Sequence, residues 1–591
     1  SWNRKFIRKA NDCNPKLSAE YDYKHEKMLR AFNTLYAEYE IIKNLKFKTT
    51  FSYDYTTVKG EKWYDPRTSN GEDENGEVVK RIREYKKMVW SNTLSYLTTF
   101  NNIHHLDFLA GYEIDDTYND YLSGEAYNFT TPDKHAISNG MKTVSVGGRA
   151  SRYRLVSYLS RLNYDYKNKY YLGASFRVDG SSRLHRDNRW GTFWSVSGAW
   201  RTIEEEFMQP VKDWLTDLRI RASYGVNGTL PSDYFGYMGL SSISGGYLEQ
   251  PGIQMSQIAN PNLKWETNYN MNIGLDFGFW DRLNFTIEYY TRTTKNLLMD
   301  CPVSMTTGFS SYLMNIGEVK NKGIELTINS TNIKIKDFSW NTTFNLGHNS
   351  NKVVKLDGEQ TQIVSGTQIH KVGSSYRTFY VQEFAGINPE TGNPLFYTNE
   401  LDENGNYIKE ITENSKNAQF IPYKHAEPTV NGGISNSLRY KWLDLNFLFS
   451  YQFGGYSYDT WAQKTEHGGY DSYANIPTYY RDSWKKPGDQ TNIEVYMLGK
   501  SSSVSMHKIT SSRRIHSTDY FRLKNITFGI TLPKEWTNKI NIGNVRFYAS
   551  ASNLWTWAAY DNYDPEAVSA GSATQTTPPL KTVTFGLNIN F

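Results

Sequence analysis

Asp402, Asn404, Asn406 and Glu413 fall at positions one, three, five and twelve of the run DENGNYIKEITE. Oxygen donors at that spacing can gather around one hard cation, as in a calcium loop. The sixth position, where such a loop turns sharply on Gly, holds Tyr407, and no amphipathic helices flank the run. It therefore reads first as a turn at Asn404-Gly405 between two short strands, with a weak surface calcium site as the alternative. Catalytic constellations are less complete still. LGKS at 498–501 has Glu494 where a phosphate-binding loop needs its first Gly. His104-His105 lacks an HExxH frame, no GxSxG elbow occurs, and Glu204-Glu205-Glu206 sits in a turn between strands. Cys13 and Cys301 have neither disulfide-framework nor metal-ligand spacing and read as two unrelated thiols. No enzyme, metal centre or cofactor is expected.

What stands out instead is aromatic. The 591 residues include 45 Tyr, 29 Phe and 16 Trp. The stretch 454–518 concentrates Tyr456, Tyr458, Trp461, Tyr470, Tyr473, Tyr479, Tyr480 and Trp484. Aromatic faces stack on sugar rings, and the neighbouring Asp, Asn and Arg groups bind hydroxyls. The same residue types are enriched at protein–protein interfaces. Loop packing is the third reading, and Trp484 to Gly488 looks of that kind.

The elements that must hold these residues are strands. In TVTFGLNINF, Val583, Phe585, Leu587, Ile589 and Phe591 alternate with small or polar residues. Such a two-residue period gives one apolar and one polar face. About 17 segments share it, at the roughly 9–11 residues of a membrane strand. They span 33–42, 44–56, 87–100, 103–115, 152–166, 169–179, 191–203, 216–227, 265–279, 282–293, 320–330, 335–347, 429–440, 443–453, 519–532, 543–553 and 581–591. Connections mostly alternate short and long, which is the rhythm of an outer-membrane barrel. The polar face carries Arg177, Asp179, Arg219 and Arg221, which would be costly in a dry sandwich core. The chain thus reads as an all-β, transmembrane antiparallel β-barrel in a bacterial outer membrane, in contact with its lipid. A net charge of +5, from 66 basic and 61 acidic residues, is too balanced for a nucleic-acid binder. The terminal aromatic on the last strand, with Phe585, Leu587 and Ile589, resembles a barrel-assembly signal.

Several motifs together carry a family resemblance. RVDGSSRLHRDNRWGTFWSVSGAWRTIEEEF (177–207), NPNLKWET (260–267), GEVKNKGIELTIN (317–329), FNLGHNSNKVVKL (344–356), AGINPETGNPLFY (385–397), WKKPGD (484–489), DYFRLKNITFGITLP (519–533) and SNLWTWAAYDNYDPE (552–566) occur in one order. They resemble those of SusC-like (SusC/RagA) TonB-dependent outer-membrane transporters of Bacteroidetes, from about residue 150 onward. The resemblance implies a plugged barrel of about 22 strands. It implies import of glycans, or alternatively peptides, energised by the TonB complex, with a SusD-like lipoprotein as lid and a dimer of such pairs. Arg177, Asp179, Arg219 and Arg221 would then hydrogen-bond the plug, or else pair among themselves. With about 17 of about 22 strands, residues 1–591 are expected to be the C-terminal barrel portion, with the plug and first strands absent. A passive porin is the reading from outside the family.

Overall fold

The computed structural model describes residues 15–247, 250–356, 361–470, 476–499, 502, 504–506, 508–540, 542–574 and 576–590. Among the described residues every expected strand span is occupied by a strand. In chain order these are β1 (Tyr23–Ile42), β2 (Leu45–Tyr64), β3 (Glu77–Phe100), β4 (His104–Phe129), β5 (Gly140–Tyr166), β6 (Tyr170–Ser181), β7 (Trp190–Trp200), β8 (Leu215–Thr229) and β9 (Glu266–Phe279). They continue as β10 (Leu283–Lys295), β11 (Glu318–Lys334), β12 (Phe338–Lys355), β13 (Val430–Tyr440), β14 (Leu443–Phe453), β15 (Tyr520–Thr531), β16 (Asn544–Ala558) and β17 (Thr582–Asn590). Two compact units divide the chain: Ser1–Ser197, Gly225–Asn268 and Asn296–Asn315 in one, and Gly198–Tyr224, Tyr269–Lys295 and Ile316–Phe591 in the other. In the first unit β1 to β6 form an antiparallel meander in sequence order. In the second, β10 to β17 do the same.

Several strands are far longer than the alternation indicates. The spans expected at 103–115 and 152–166 become His104–Phe129, 26 residues, and Gly140–Tyr166, 27 residues. At about 3.4 Å per residue such a strand approaches 90 Å, well beyond an apolar band of about 25 Å. The apolar alternation fades where the extra length begins, and cross-strand charge pairs take over. Lys87 reaches Asp115 at 2.7 Å, Lys62 reaches Glu77 at 2.8 Å and Lys80 reaches Glu61 at 3.0 Å. A ladder needs only backbone donors and acceptors, so it persists where both faces are wet.

On the membrane-length part, alternate large apolar residues are exposed: Leu172 and Phe176 in β6, Ile273 and Leu275 in β9, and Phe585, Leu587 and Ile589 in β17. The short turns are three-residue connections whose first two residues adopt positive φ, as at Asn101-Asn102, Lys167-Asn168 and Trp280-Asp281. A bulky Trp at φ 51° is unusual. It fits a wider pattern in the second unit, where Trp214, Trp280, Tyr440, Trp442 and Trp536 all lie exposed at the turn end of the strands. Aromatic rings of this kind favour a bilayer interface.

Densely buried apolar clusters sit in the long connections. Phe379, Val381 and Tyr458 form one, and Phe396, Ala418, Met506 and Ile509 another. In the first unit Leu184, Phe193, Leu263 and Trp265 pack together. The long loops are therefore folded caps with cores of their own.

Candidate functional site

The cap of the second unit is organised around Asp459. Tyr456–Asp459 pairs antiparallel with Ile515–Ser517 and parallel with Ser572–Ala573, which brings three distant segments together. Asp459 is fully buried. Its carboxylate accepts the backbone N–H of Ala462 at 2.8 Å, capping the short helix Thr460–Thr465, and also Tyr560 Oη at 2.9 Å and Asn562 Nδ2 at 3.0 Å. Such a cap satisfies an otherwise orphaned donor.

A second buried charge centre fastens the same cap to the wall. Arg522 at the top of β15 is 2 % exposed and donates to Thr556 Oγ1 at 3.0 Å, to Asp564 at 2.5 Å and to Glu566. Glu566 also accepts from Lys524 Nζ at 2.6 Å and from Tyr520 Oη at 3.1 Å. Burying a guanidinium is tolerable only when it is fully paired, and the Asp-Pro-Glu run supplies both anions. Arg522, Asp564 and Glu566 are site-shaping residues that alternation could not single out. Their sequence signal lies in the two family motifs that contain them, DYFRLKNITFGITLP and SNLWTWAAYDNYDPE.

The loop aromatics divide into two sets. Tyr458 and Tyr480 are buried, and burial raises the phenol pKa of both. Tyr456 is half-buried, with the Lys424 ammonium over its ring at 5.4 Å. Trp461, Tyr470 and Tyr479 are exposed, with Lys508 over Tyr470 at 5.0 Å and Tyr479 donating to Glu466. Tyr473 lies outside the described residues. Trp484 packs as the sequence suggested, its indole donating to the Pro389 carbonyl at 2.7 Å. Trp461 and Trp557 border a cavity of 640 Å³ whose polar lining includes Asp459, Arg522, Asn562 and Asp564. Flat apolar faces beside carboxylate, amide and guanidinium groups suit a polyhydroxylated ligand.

His516 stacks on Tyr560 at 3.7 Å and 3°. Burial draws its pKa down to about 4, with Asp459 opposing and Arg514 and Arg513 adding to the fall. An unfolded His titrates near 6.5, so the open cap binds a proton that the closed cap refuses. Stability conferred by this site is fully present above about pH 6.5 and declines as pH falls towards 4. Hydrogen exchange over 454–518 is expected to quicken on going from neutral pH to pH ~5, after correction for intrinsic rates, and His516→Phe should flatten that dependence. An unchanged slope in the variant would assign the effect elsewhere.

Asp402 and Glu413 have separate hydrogen-bond partners. Asp402 accepts the N–H groups of Asn404 at 2.9 Å and Asn406 at 2.8 Å, which lowers its pKa, while Glu413 accepts from Thr391 at 2.9 Å and Asn393 at 3.0 Å. The turn at Asn404-Gly405 is present, with Gly405 at φ 80° and Leu401 bridged to Tyr407. His104 Nδ1 bonds Tyr164 at 2.7 Å and His105 Nδ1 bonds Thr99 at 2.8 Å. Cys301 is buried, its thiol donating to the Pro302 carbonyl at 3.7 Å, and Cys13 and Phe591 lie outside the described residues.

The polar-face residues meet acids on the wall itself. Arg177 donates to Asp179 at 2.7 Å and to Ser157 at 2.8 Å. In the second unit Arg219 and Arg221 converge on Asp276 at 2.9 and 3.1 Å, and Arg221 also reaches Glu288. Four charges thus form a compact lattice on the face opposite Ile273 and Ile287.

The sequence matches the family described as TonB dependent receptor-like, beta-barrel over residues 3–401. TonB-dependent receptor P3 of Formosa agariphila is 31% identical, the alignment covering 94% of this chain and 57% of that protein. TonB-dependent receptor SusC of Bacteroides thetaiotaomicron is 30% identical over 88% of this chain and 51% of its own. A solved structure of the RagAB peptide transporter superimposes with a TM-score of 0.88 at 26% identity, covering 98% of this chain and 63% of that one. The chain therefore spans roughly half to three fifths of the length of the proteins it matches.

Proposed function

The chain belongs to the TonB-dependent receptor-like β-barrel family, and from that premise we propose that it forms the barrel wall of an outer-membrane importer of oligosaccharides, energised through TonB. The observation that carries the cargo reading is the cavity that Trp461 and Trp557 border together with Asn562 and Asp564. In this reading the exposed Tyr470 and Tyr479 face a SusD-like lipoprotein lid. Residues 1–591 act as one barrel portion, and a plug-bearing remainder of the transporter connects it to the TonB complex. Pairs of barrel and lid associate as a dimer. Aromatic and polar groups would serve both stacking on sugars and seating a protein lid.

A peptide cargo is the second reading, favoured by the likeness to the RagAB peptide transporter. Uptake of labelled oligosaccharide and labelled oligopeptide mixtures into the native host, with and without TonB function, separates the possibilities. Oligosaccharide uptake that disappears without TonB is the expected result. Peptide uptake alone would replace the cargo reading, and uptake indifferent to TonB would make the barrel a passive porin.

A further inference from the structure

The first unit holds a cavity of 1110 Å³ that the preceding site does not use. Its wall is one cross-strand row of β2 to β5. Val58 stands opposite Arg83, Arg83 opposite Tyr121, and Tyr121 opposite Arg149. Directly opposed residues share a face, so two arginines flank one tyrosine. Their guanidinium carbons lie 5.8 and 5.6 Å from the Tyr121 ring centroid. The next row places Tyr85, Asn119 and Ser151 together, and Asn119 Nδ2 donates to Tyr234 Oη at 3.1 Å from the opposing loop.

The charge state of this row sets it apart from its surroundings. Neighbouring cations on the same strands have acids: Lys87 has Asp115 at 2.7 Å, Arg152 has Asp116 at 2.5 Å and Arg154 has Asp116 at 2.8 Å. Among the described residues neither Arg83 nor Arg149 meets a carboxylate, and both are exposed to the cavity. The acids that touch the cavity are otherwise engaged or belong to the rim. Asp120 accepts its neighbour's N–H at 2.9 Å, Glu84 holds Lys86 at 2.8 Å, and Asp233 sits on the loop. Two residues along β3 from Arg83, on the same face, Arg81 adds a third guanidinium, whose Nε is buried and makes no hydrogen bond. A ring that orients two unspent guanidiniums towards one space leaves their donor forks for a ligand with planar oxyanions.

We infer that the Arg83–Tyr121–Arg149 row is a subsite for an anionic substituent of the cargo, a carboxylate or sulfate carried on an oligosaccharide. The inference rests on the oligosaccharide reading for the nature of the carrier. Tyr121 supplies a face for the sugar ring, and the arginines clamp the acid group on either side of it.

The test uses the intact transporter complex purified from outer membranes, with hexagalacturonate as the acidic probe and maltohexaose as the neutral one. Hexagalacturonate is expected to bind more tightly, with affinity falling as salt rises. Arg83→Ala and Arg149→Ala should each weaken it about tenfold, the loss expected for one charge-assisted hydrogen bond, and the double variant should weaken it more than either alone, without strict additivity because both arginines act on one acid group. Arg152→Ala, whose guanidinium already has Asp116, should leave binding unchanged. Heat-modifiable migration confirms that each variant is folded. Equal affinity of the wild type and the double variant for hexagalacturonate overturns the subsite. If maltohexaose binds as tightly as hexagalacturonate, oligosaccharide import stands and the subsite falls. If only an oligoglutamate peptide binds, and does so through the two arginines, the anion subsite stands and the oligosaccharide carrier falls.

Discussion

Glu466→Ala is expected to open the 454–518 cap while leaving the strands of the wall paired. The Arg514 side chain is 1% exposed and pairs with Glu466, which also accepts the Tyr479 hydroxyl. Burial draws the Arg514 pKa down to about 10, so the guanidinium stays charged at neutral pH and requires its counter-ion. Removing one partner of a buried pair costs about 3–5 kcal/mol, because the other charge is left without compensation. That cost falls on the cap, whose core residues Phe379, Val381 and Tyr458 pack with one another. Proteinase K added to intact outer membranes should nick the variant within 454–518 at a rate raised by about two orders of magnitude or more, following the population of the open cap. The heat-modifiable barrel should persist. Nicking at the wild-type rate would show that the pair does not hold the cap closed.

Leu587→Arg should block assembly, and Asn588→Arg should not. Leu587 is 51% exposed and stands opposite Phe547, on the face that also presents Phe585 and Ile589. A charge on the lipid face near mid-bilayer costs about 2–4 kcal/mol. Asn588 stands opposite Arg546, which is already engaged with Asp444 at 2.6 Å. An arginine there meets a like charge whose field is largely compensated, so the cost is expected to stay below about 1 kcal/mol. The yield of folded, heat-modifiable barrel in outer membranes reports both values. Equal yields would refute the assignment of the two faces.

The sequence made the wall legible and left the caps obscure, for identifiable physical reasons. A two-residue period follows directly from a strand with lipid on one side, so β14 emerges at Leu443–Phe453 within the span expected. The same period says nothing once both faces are wet, and the outer halves of β3, β4 and β5 are therefore invisible to it. The aromatic density of 454–518 is plain in the sequence. Density alone could not separate Tyr458, which supports the cap from inside, from Trp461, which lines a cavity. Asp459 had no sequence signal at all, since its partners Tyr560 and Asn562 lie about 100 positions away. The row of Arg83, Tyr121 and Arg149 is hidden for the same reason. Its members come from three strands, and only the register aligns them.

The exposed aromatics at the turn end of the second unit also govern how the protein meets bilayers of unequal thickness. Trp214, Trp280, Tyr440, Trp442 and Trp536 hold the turn end at the headgroup region, which their rings favour. At the loop end of the same unit Phe453 and Trp555 are exposed as well, so aromatic rings mark both ends of the strands. A bilayer whose apolar thickness differs from the distance between the two bands must deform or tilt the barrel, at a modest cost for each ångström of mismatch.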